Sequence, residues 1–172
     1  SDPAPPRVHT LEPAATPAPS AYPELERVRA ARALHADAFV EDWPAFLGPR
    51  RDAHSRETLL DLSFEREGPP LLWRMQSGEG WACPIVAEGL LVYTQRVGAE
   101  NHVDAFDPET GLRRWRYSYP SDYRPRYVSD SGPRSTPAVA DGLAFVAGCD
   151  GIFRAVRVAD GTEAYRIDGG AY

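Results

Sequence analysis

Ala105-Phe-Asp107-Pro-Glu-Thr110-Gly111-Leu-Arg-Arg-Trp115 reads as strand, tight turn, strand. Asp107 and Thr110 carry oxygens that can bond the turn backbone, and Gly111 supplies the positive φ that closes it. Trp115 opens a second extended run, Trp-Arg-Tyr-Ser-Tyr. The pattern returns as Ala155-Val-Arg157-Val-Ala-Asp160-Gly161-Thr-Glu-Ala-Tyr165, with alanine, glycine and aromatic at the same spacing. The chain therefore reads as a repeat protein.

A second repeated stretch lies upstream of each turn. Trp81-Ala-Cys83-Pro84-Ile-Val86-Ala-Glu88-Gly89-Leu-Leu-Val-Tyr93 aligns without gaps on Arg134-Ser-Thr136-Pro137-Ala-Val139-Ala-Asp141-Gly142-Leu-Ala-Phe-Val146. Glu88-Gly89 and Asp141-Gly142 predict two-residue hairpins with glycine at positive φ. Each unit then holds four short antiparallel strands, the make-up of a propeller blade.

The 172 residues bound one domain plus a tail, and the absence of an initiator Met suits a processed or trimmed chain. A net charge of −6 argues against a nucleic-acid footprint, which needs a basic stripe. No apolar run reaches the roughly 18 residues of a spanning helix, so no transmembrane segment is expected. Residues 1–20 are a Pro/Ala-rich tail that favours extended backbone, either as a linker or as a strap along a partner. Over 21–40 the spacing of Leu25, Val28, His35 and Phe39 predicts a short helix, capped by Ser20 with Pro23 and Glu24 in its first turn. Residues 41–70 form a lead-in broken by Pro44, Gly48 and Pro49. The first blade is expected over about 71–130 and the second over about 131–172.

These motifs resemble the pyrroloquinoline-quinone (PQQ)-like β-propeller repeat family. Its blade signature Ala-x-Asp-x-x-Thr-Gly-x-x-x-Trp lands on Ala105, Asp107, Thr110, Gly111 and Trp115, and Trp73 stands as an equivalent Trp ahead of the first blade. In the second repeat Arg157, Asp160 and Tyr165 replace the signature Asp, Thr and Trp, while Ala155 and Gly161 remain. The resemblance implies an all-β fold: four-stranded antiparallel blades of an incomplete PQQ-like propeller, preceded by an extended tail and one short helix. It implies that the aromatic packs between neighbouring blades. Asp107 is then a turn residue and not an acid catalyst.

Family dehydrogenases hold PQQ and a calcium or lanthanide ion at the ring centre, with acidic and amide ligands. That set is not recognisable here, so no catalytic, cofactor or metal residues are assigned and PQQ with calcium is expected only in a complete propeller. His54 beside Ser55 is not by itself a base–nucleophile pair. Cys83 and Cys149 are either two small packed residues or, in an exported chain, a disulfide. Tyr117, Tyr119, Tyr123, Arg124, Arg126 and Tyr127 crowd an apparent loop between blades, and Tyr and Arg are the residues that anchor interfaces. The reading is a non-catalytic scaffold or accessory subunit of an exported, periplasmic or membrane-associated bacterial complex. It would bind other protein subunits through blades, Tyr/Arg loop and tail. The alternatives are the N-terminal part of a PQQ-dependent quinoprotein dehydrogenase and an outer-membrane protein assembly factor.

Overall fold

Alternating apolar residues between Gly-closed turns build antiparallel meanders. The computed structural model describes residues 7–10, 25–61, 68–126 and 130–169, and these are all-β. Strands β1 (Arg7–Thr10), β2 (Glu26–Arg27) and β3 (Trp73–Arg74) precede the first meander. That meander comprises β4 (Ile85–Ala87), β5 (Leu90–Val97), β6 (Glu100–Phe106) and β7 (Arg113–Pro120), in the order β4-β5-β6-β7. The second comprises β8 (Ala138–Ala140), β9 (Leu143–Ala147), β10 (Ile152–Arg157) and β11 (Glu163–Asp168). There β1 is added as a fifth strand, giving β1-β11-β10-β9-β8.

Both predicted hairpins form. Glu88 and Gly89 lie at φ 53° and 75°, and Asp141 and Gly142 at 52° and 74°. Positive φ at both central residues matches the right-handed twist of the flanking strands. The later turns also superpose. Asp107 N–H donates to the Leu112 carbonyl at 2.9 Å and Gly111 N–H to the Asp107 carbonyl at 2.8 Å. Arg157 N–H to Thr162 and Gly161 N–H to Arg157 repeat these bonds at 2.8 and 2.9 Å. A register shift follows Ala105 in one blade and Ala155 in the other. It leaves Ala105 opposite Trp115 and Ala155 opposite Tyr165, so each signature alanine leaves room for its cross-strand aromatic.

The core lies between the two meanders. Ile85, Val92, Val103, Ala105, Trp115 and Tyr119 of the first pack with Ala144, Val146, Val156 and Val158 of the second. The lead-in joins both inner edges. Trp43 exchanges backbone hydrogen bonds with Val86 at 2.7 and 3.2 Å, and Val139 N–H donates to the Pro44 carbonyl at 2.8 Å.

The helix expected over 21–40 is not present at residues 25–40; Ser20, Pro23 and Glu24 lie outside the described residues. Glu26–Arg27 pairs with Trp73–Arg74, and the Val28 and Arg29 amides both reach the Leu72 carbonyl. A helical stripe needs a partner for its apolar face. Here Val28, Leu34 and Phe39 are exposed, and only Leu25 is turned against the first blade beside Gly111. Strand pairing takes Glu26–Arg27, and the Ala/Arg-rich run after it forms neither helix nor strand, its propensity unsupported by a buried apolar face. Of the tail, only β1 is described. It pairs antiparallel with β11, from Arg7 opposite Asp168 to Thr10 opposite Tyr165.

Candidate docking site at the blade faces

The turn at Asp107 is built by its own side chain. Oδ1 accepts the Glu109 and Thr110 amides at 3.1 and 3.0 Å, and Oδ2 accepts Arg114 at 2.7 Å. Burial works to raise this carboxyl, but the bonds from Arg114, Thr110 and Glu109 hold it below the usual carboxylate range. In the second turn the carboxylate has moved along the chain. Asp160 accepts the Thr162 amide at 2.9 Å and its hydroxyl at 2.7 Å, while Arg157 donates to the same hydroxyl at 3.2 Å. The backbone turn survives the loss of Asp and Thr because a different carboxylate bonds it.

Each turn receives an aromatic from the preceding element. The Trp73 indole N–H donates to the Pro108 carbonyl at 2.8 Å, and a Cβ on Gly111 would lie 2.8 Å from the Trp73 ring. The Trp115 indole N–H donates to the Val158 carbonyl at 2.7 Å, and a Cβ on Gly161 would lie 2.7 Å from its ring. Gly111 (φ 70°) and Gly161 (φ 77°) thus serve twice, once for the left-handed backbone and once for the approach of the ring. Trp115 closes on the turn of the following blade, and its own blade's turn is closed by Trp73.

Trp115, Tyr117 and Tyr119 alternate along β7 and all face the second blade. Tyr117 donates its hydroxyl to Glu163, and its pKa is raised by burial and by that carboxylate. The Arg154 guanidinium lies 3.7 Å from the Tyr119 ring centroid and is held by Asp150 at 3.0 and 2.5 Å. Burial likewise raises Tyr119. Tyr117 and Tyr119 are therefore strand residues, not loop residues, and Tyr119 is buried between blades instead of being offered to an outside partner. Tyr123 is half-buried, Arg124 and Arg126 are exposed, and Tyr127 lies outside the described residues.

Of the two readings left open for Cys83 and Cys149, the disulfide is not formed: both are free thiols. Cys83 is exposed and its amide is tied to Thr136 Oγ1 at 3.0 Å, whereas Cys149 is half-buried and its thiol pKa is raised by burial. Among the described residues no group of three or more His, Cys, Asp or Glu is gathered as a metal site. Nor is any helix long and apolar enough to cross a membrane.

Arg96 was invisible in the sequence as a structural residue. It is buried on β5 and donates to four carbonyls: Gly98 at 3.0 Å, Tyr123 at 2.9 Å, Ser131 at 3.2 Å and Ser121 at 2.7 Å. It thereby ties the connection between the blades to the first sheet. No local spacing signals this role, because its acceptors are backbone groups from later in the chain.

The second blade repeats the first but lacks a following sheet among the described residues. Val92, Val103, Trp115 and Tyr117 face it from the first blade, and the first three are buried. Their counterparts on the second blade are Phe145, Phe153, Tyr165 and Ile167. Cross-strand pairing puts Phe145 opposite Ala155, and Ala155 opposite Tyr165, with Phe153 opposite Ile167. These side chains share one face. Phe145 is 38% exposed and Phe153 57%, against 0% for both Val92 and Val103. Tyr165 and Ile167 are half-buried. This apolar face is the candidate functional site.

No protein-family model matches the chain, and no curated protein does so. Among solved structures it is similar to a europium-containing methanol dehydrogenase, with 19% identity and a TM-score of 0.41. The match covers 55% of this chain and 17% of that one. The metal and the activity in that name are that protein's.

Proposed function

We propose that this chain is a non-catalytic docking segment whose second blade receives a further β-sheet within a larger protein assembly. One observation carries this reading: the face bearing Phe145, Phe153, Tyr165 and Ile167 is exposed, whereas the equivalent face of the first blade is covered. Exposed apolar patches of this kind mark interaction surfaces. The covered face also specifies the chemistry of the partner. The second blade meets it with Ala144, Val146, Val156 and Val158, and with a glycine turn offering a carbonyl. A partner sheet for the open face would present small aliphatic residues and a glycine turn beneath Tyr165. The lead-in supports docking over a central ligand, because Trp43 and Pro44 already bond the inner edges of both blades. An exported or membrane-associated complex is the setting in which we place this role.

The test is a photo-crosslinking amino acid at Phe153 in the source cells, read by mass spectrometry of the crosslinked peptides. A crosslink to a glycine-turn segment of a β-sheet is expected, and Phe145→Asp should abolish it. Efficient photolysis with no crosslink, or crosslinks unaffected by Phe145→Asp, would sink the reading.

A further inference from the structure

The seam between the blades holds two charges that two tyrosines receive. Tyr117 donates its hydroxyl to Glu163, and the Arg154 guanidinium lies 3.7 Å from the Tyr119 ring centroid. Glu163 is 7% exposed and Arg154 4%. Even with the tyrosines in place, Glu163 Oε1 and Arg154 Nε make no hydrogen bond among the described residues. Removing either ring would leave a buried charge with still fewer partners, and such a charge is costly.

The open face of the second blade has neither tyrosine. Trp115 stands opposite Ala105 and Tyr165 opposite Ala155, so Ile167 is the counterpart of Tyr117 and Gly169 that of Tyr119. The next pairs keep the same register, Val103 with Tyr117 and Phe153 with Ile167. Isoleucine offers no polar atom, and glycine no side chain at all. A sheet carrying an arginine and a glutamate at the places of Arg154 and Glu163 would bury both against Ile167 and bare backbone. That penalty falls on a copy of the second blade as on any sheet charged alike. An uncharged sheet escapes it, and a large apolar side chain opposite Gly169 fills the space that the Tyr119 ring takes in the covered seam.

We infer that the open face selects a sheet unlike the second blade, bulky and apolar at the place of Arg154 and uncharged at the place of Glu163. This rests on the docking role proposed above and names the partner's chemistry within it. The stack does not continue by repeating its own last unit. Specificity here comes from a penalty against the wrong sheet as well as from apolar contact with the right one.

The test follows the thiol of Phe153→Cys, in a chain that also carries Cys83→Ser and Cys149→Ser, by its rate of alkylation. The full chain is extended after Tyr172 by a copy of residues 121–169, either unchanged or with Arg154→Met and Glu163→Val in the copy alone. Relative to the unextended chain, the substituted copy should slow alkylation by at least about tenfold and the unchanged copy by less than about twofold. Ile167→Tyr in the receiving blade should restore protection by the unchanged copy, since the new hydroxyl meets its glutamate. This arm does not depend on the substituted copy folding. Protection by the unchanged copy as great as by the substituted one, without Ile167→Tyr, would overturn the inference and leave the docking role standing. No protection in any of the three extended chains would remove the docking role and this inference with it.

Discussion

At the residue scale, the two glycine turns show that one backbone conformation can serve two purposes. Gly89 and Gly161 have nearly the same φ, 75° and 77°. An alanine at 89 would meet nothing within 4 Å, while one at 161 would strike the Trp115 ring. Gly161→Ala should therefore cost more than Gly89→Ala, by about 1–3 kcal/mol against about 1 kcal/mol for the left-handed backbone alone. Trp115→Ala should cost about 3–5 kcal/mol, since the ring is buried and its indole bond to Val158 goes too. Urea unfolding of the three variants would check the order; equal losses at 89 and 161 would show that the ring does not rest on the turn.

His102 supplies a pH-dependent term at the same scale. It is buried, with Nδ1 2.8 Å from Ser118 Oγ, and its pKa is lowered first by burial and then by Arg116. The folded chain therefore favours the neutral ring. No penalty exists above the unfolded value, near 6.5. Stability is then lost as pH falls below that value toward the folded pKa, because the unfolded chain binds the proton more readily. Thermal unfolding between pH 8 and pH 5, compared with His102→Gln, should show a shallower decline in the variant.

At the scale of elements, the strand pattern and the connections obey different rules. β7 begins at Arg113, and its course from Trp115 onward is legible as strand because it follows the Gly111 turn. Its end is less legible: Pro120, Pro125 and the run of tyrosines make Tyr117 and Tyr119 read both as strand and as the start of a loop. Period-two alternation through Trp115, Tyr117 and Tyr119 is the signal that favours the strand. The segment that follows is held by the buried Arg96 guanidinium. Hydrogen bonds to a charged group are worth about 1.5–3 kcal/mol each before the desolvation of the group is counted. Arg96→Met keeps length but removes all four bonds. It should destabilise the chain by about 2–4 kcal/mol and speed tryptic cleavage after Arg126, Arg124 being shielded by Pro125. Proteolysis at an unchanged rate would mean that the connection is held by other contacts.

At the scale of the molecule, the blades form a directional stack. Trp73 closes on the first blade, Trp115 on the second, and Tyr165 stands at the corresponding position opposite Ala155. A phenol cannot repeat the indole N–H bond at the same depth, so the next interface would differ in its polar contact. The exposed Phe145 and Phe153 should also make the isolated chain prone to associate. Replacing both with Asp is expected to raise solubility without lowering the unfolding midpoint by more than about 1 kcal/mol equivalent, because exposed side chains contribute little to the fold. Dynamic light scattering and thermal unfolding together would separate loss of association from loss of fold.

The amino-acid sequence by itself determined the repeat, the four-strand unit, both hairpins and the glycine turns. Those features are local: period-two alternation, positive-φ residues and fixed spacing are written in neighbouring positions. The tertiary structure alone decided that residues 26–29 bond the Leu72–Arg74 segment in place of a helix, that the cysteines are free and that Tyr119 turns inward. It also decided that β1 seats on β11 and that Arg96 gathers four carbonyls. Each of these depends on what lies opposite in space across long stretches of chain. Backbone edges accept almost any strand, and backbone carbonyls accept any donor, so neither leaves a signature at the residue that finds them.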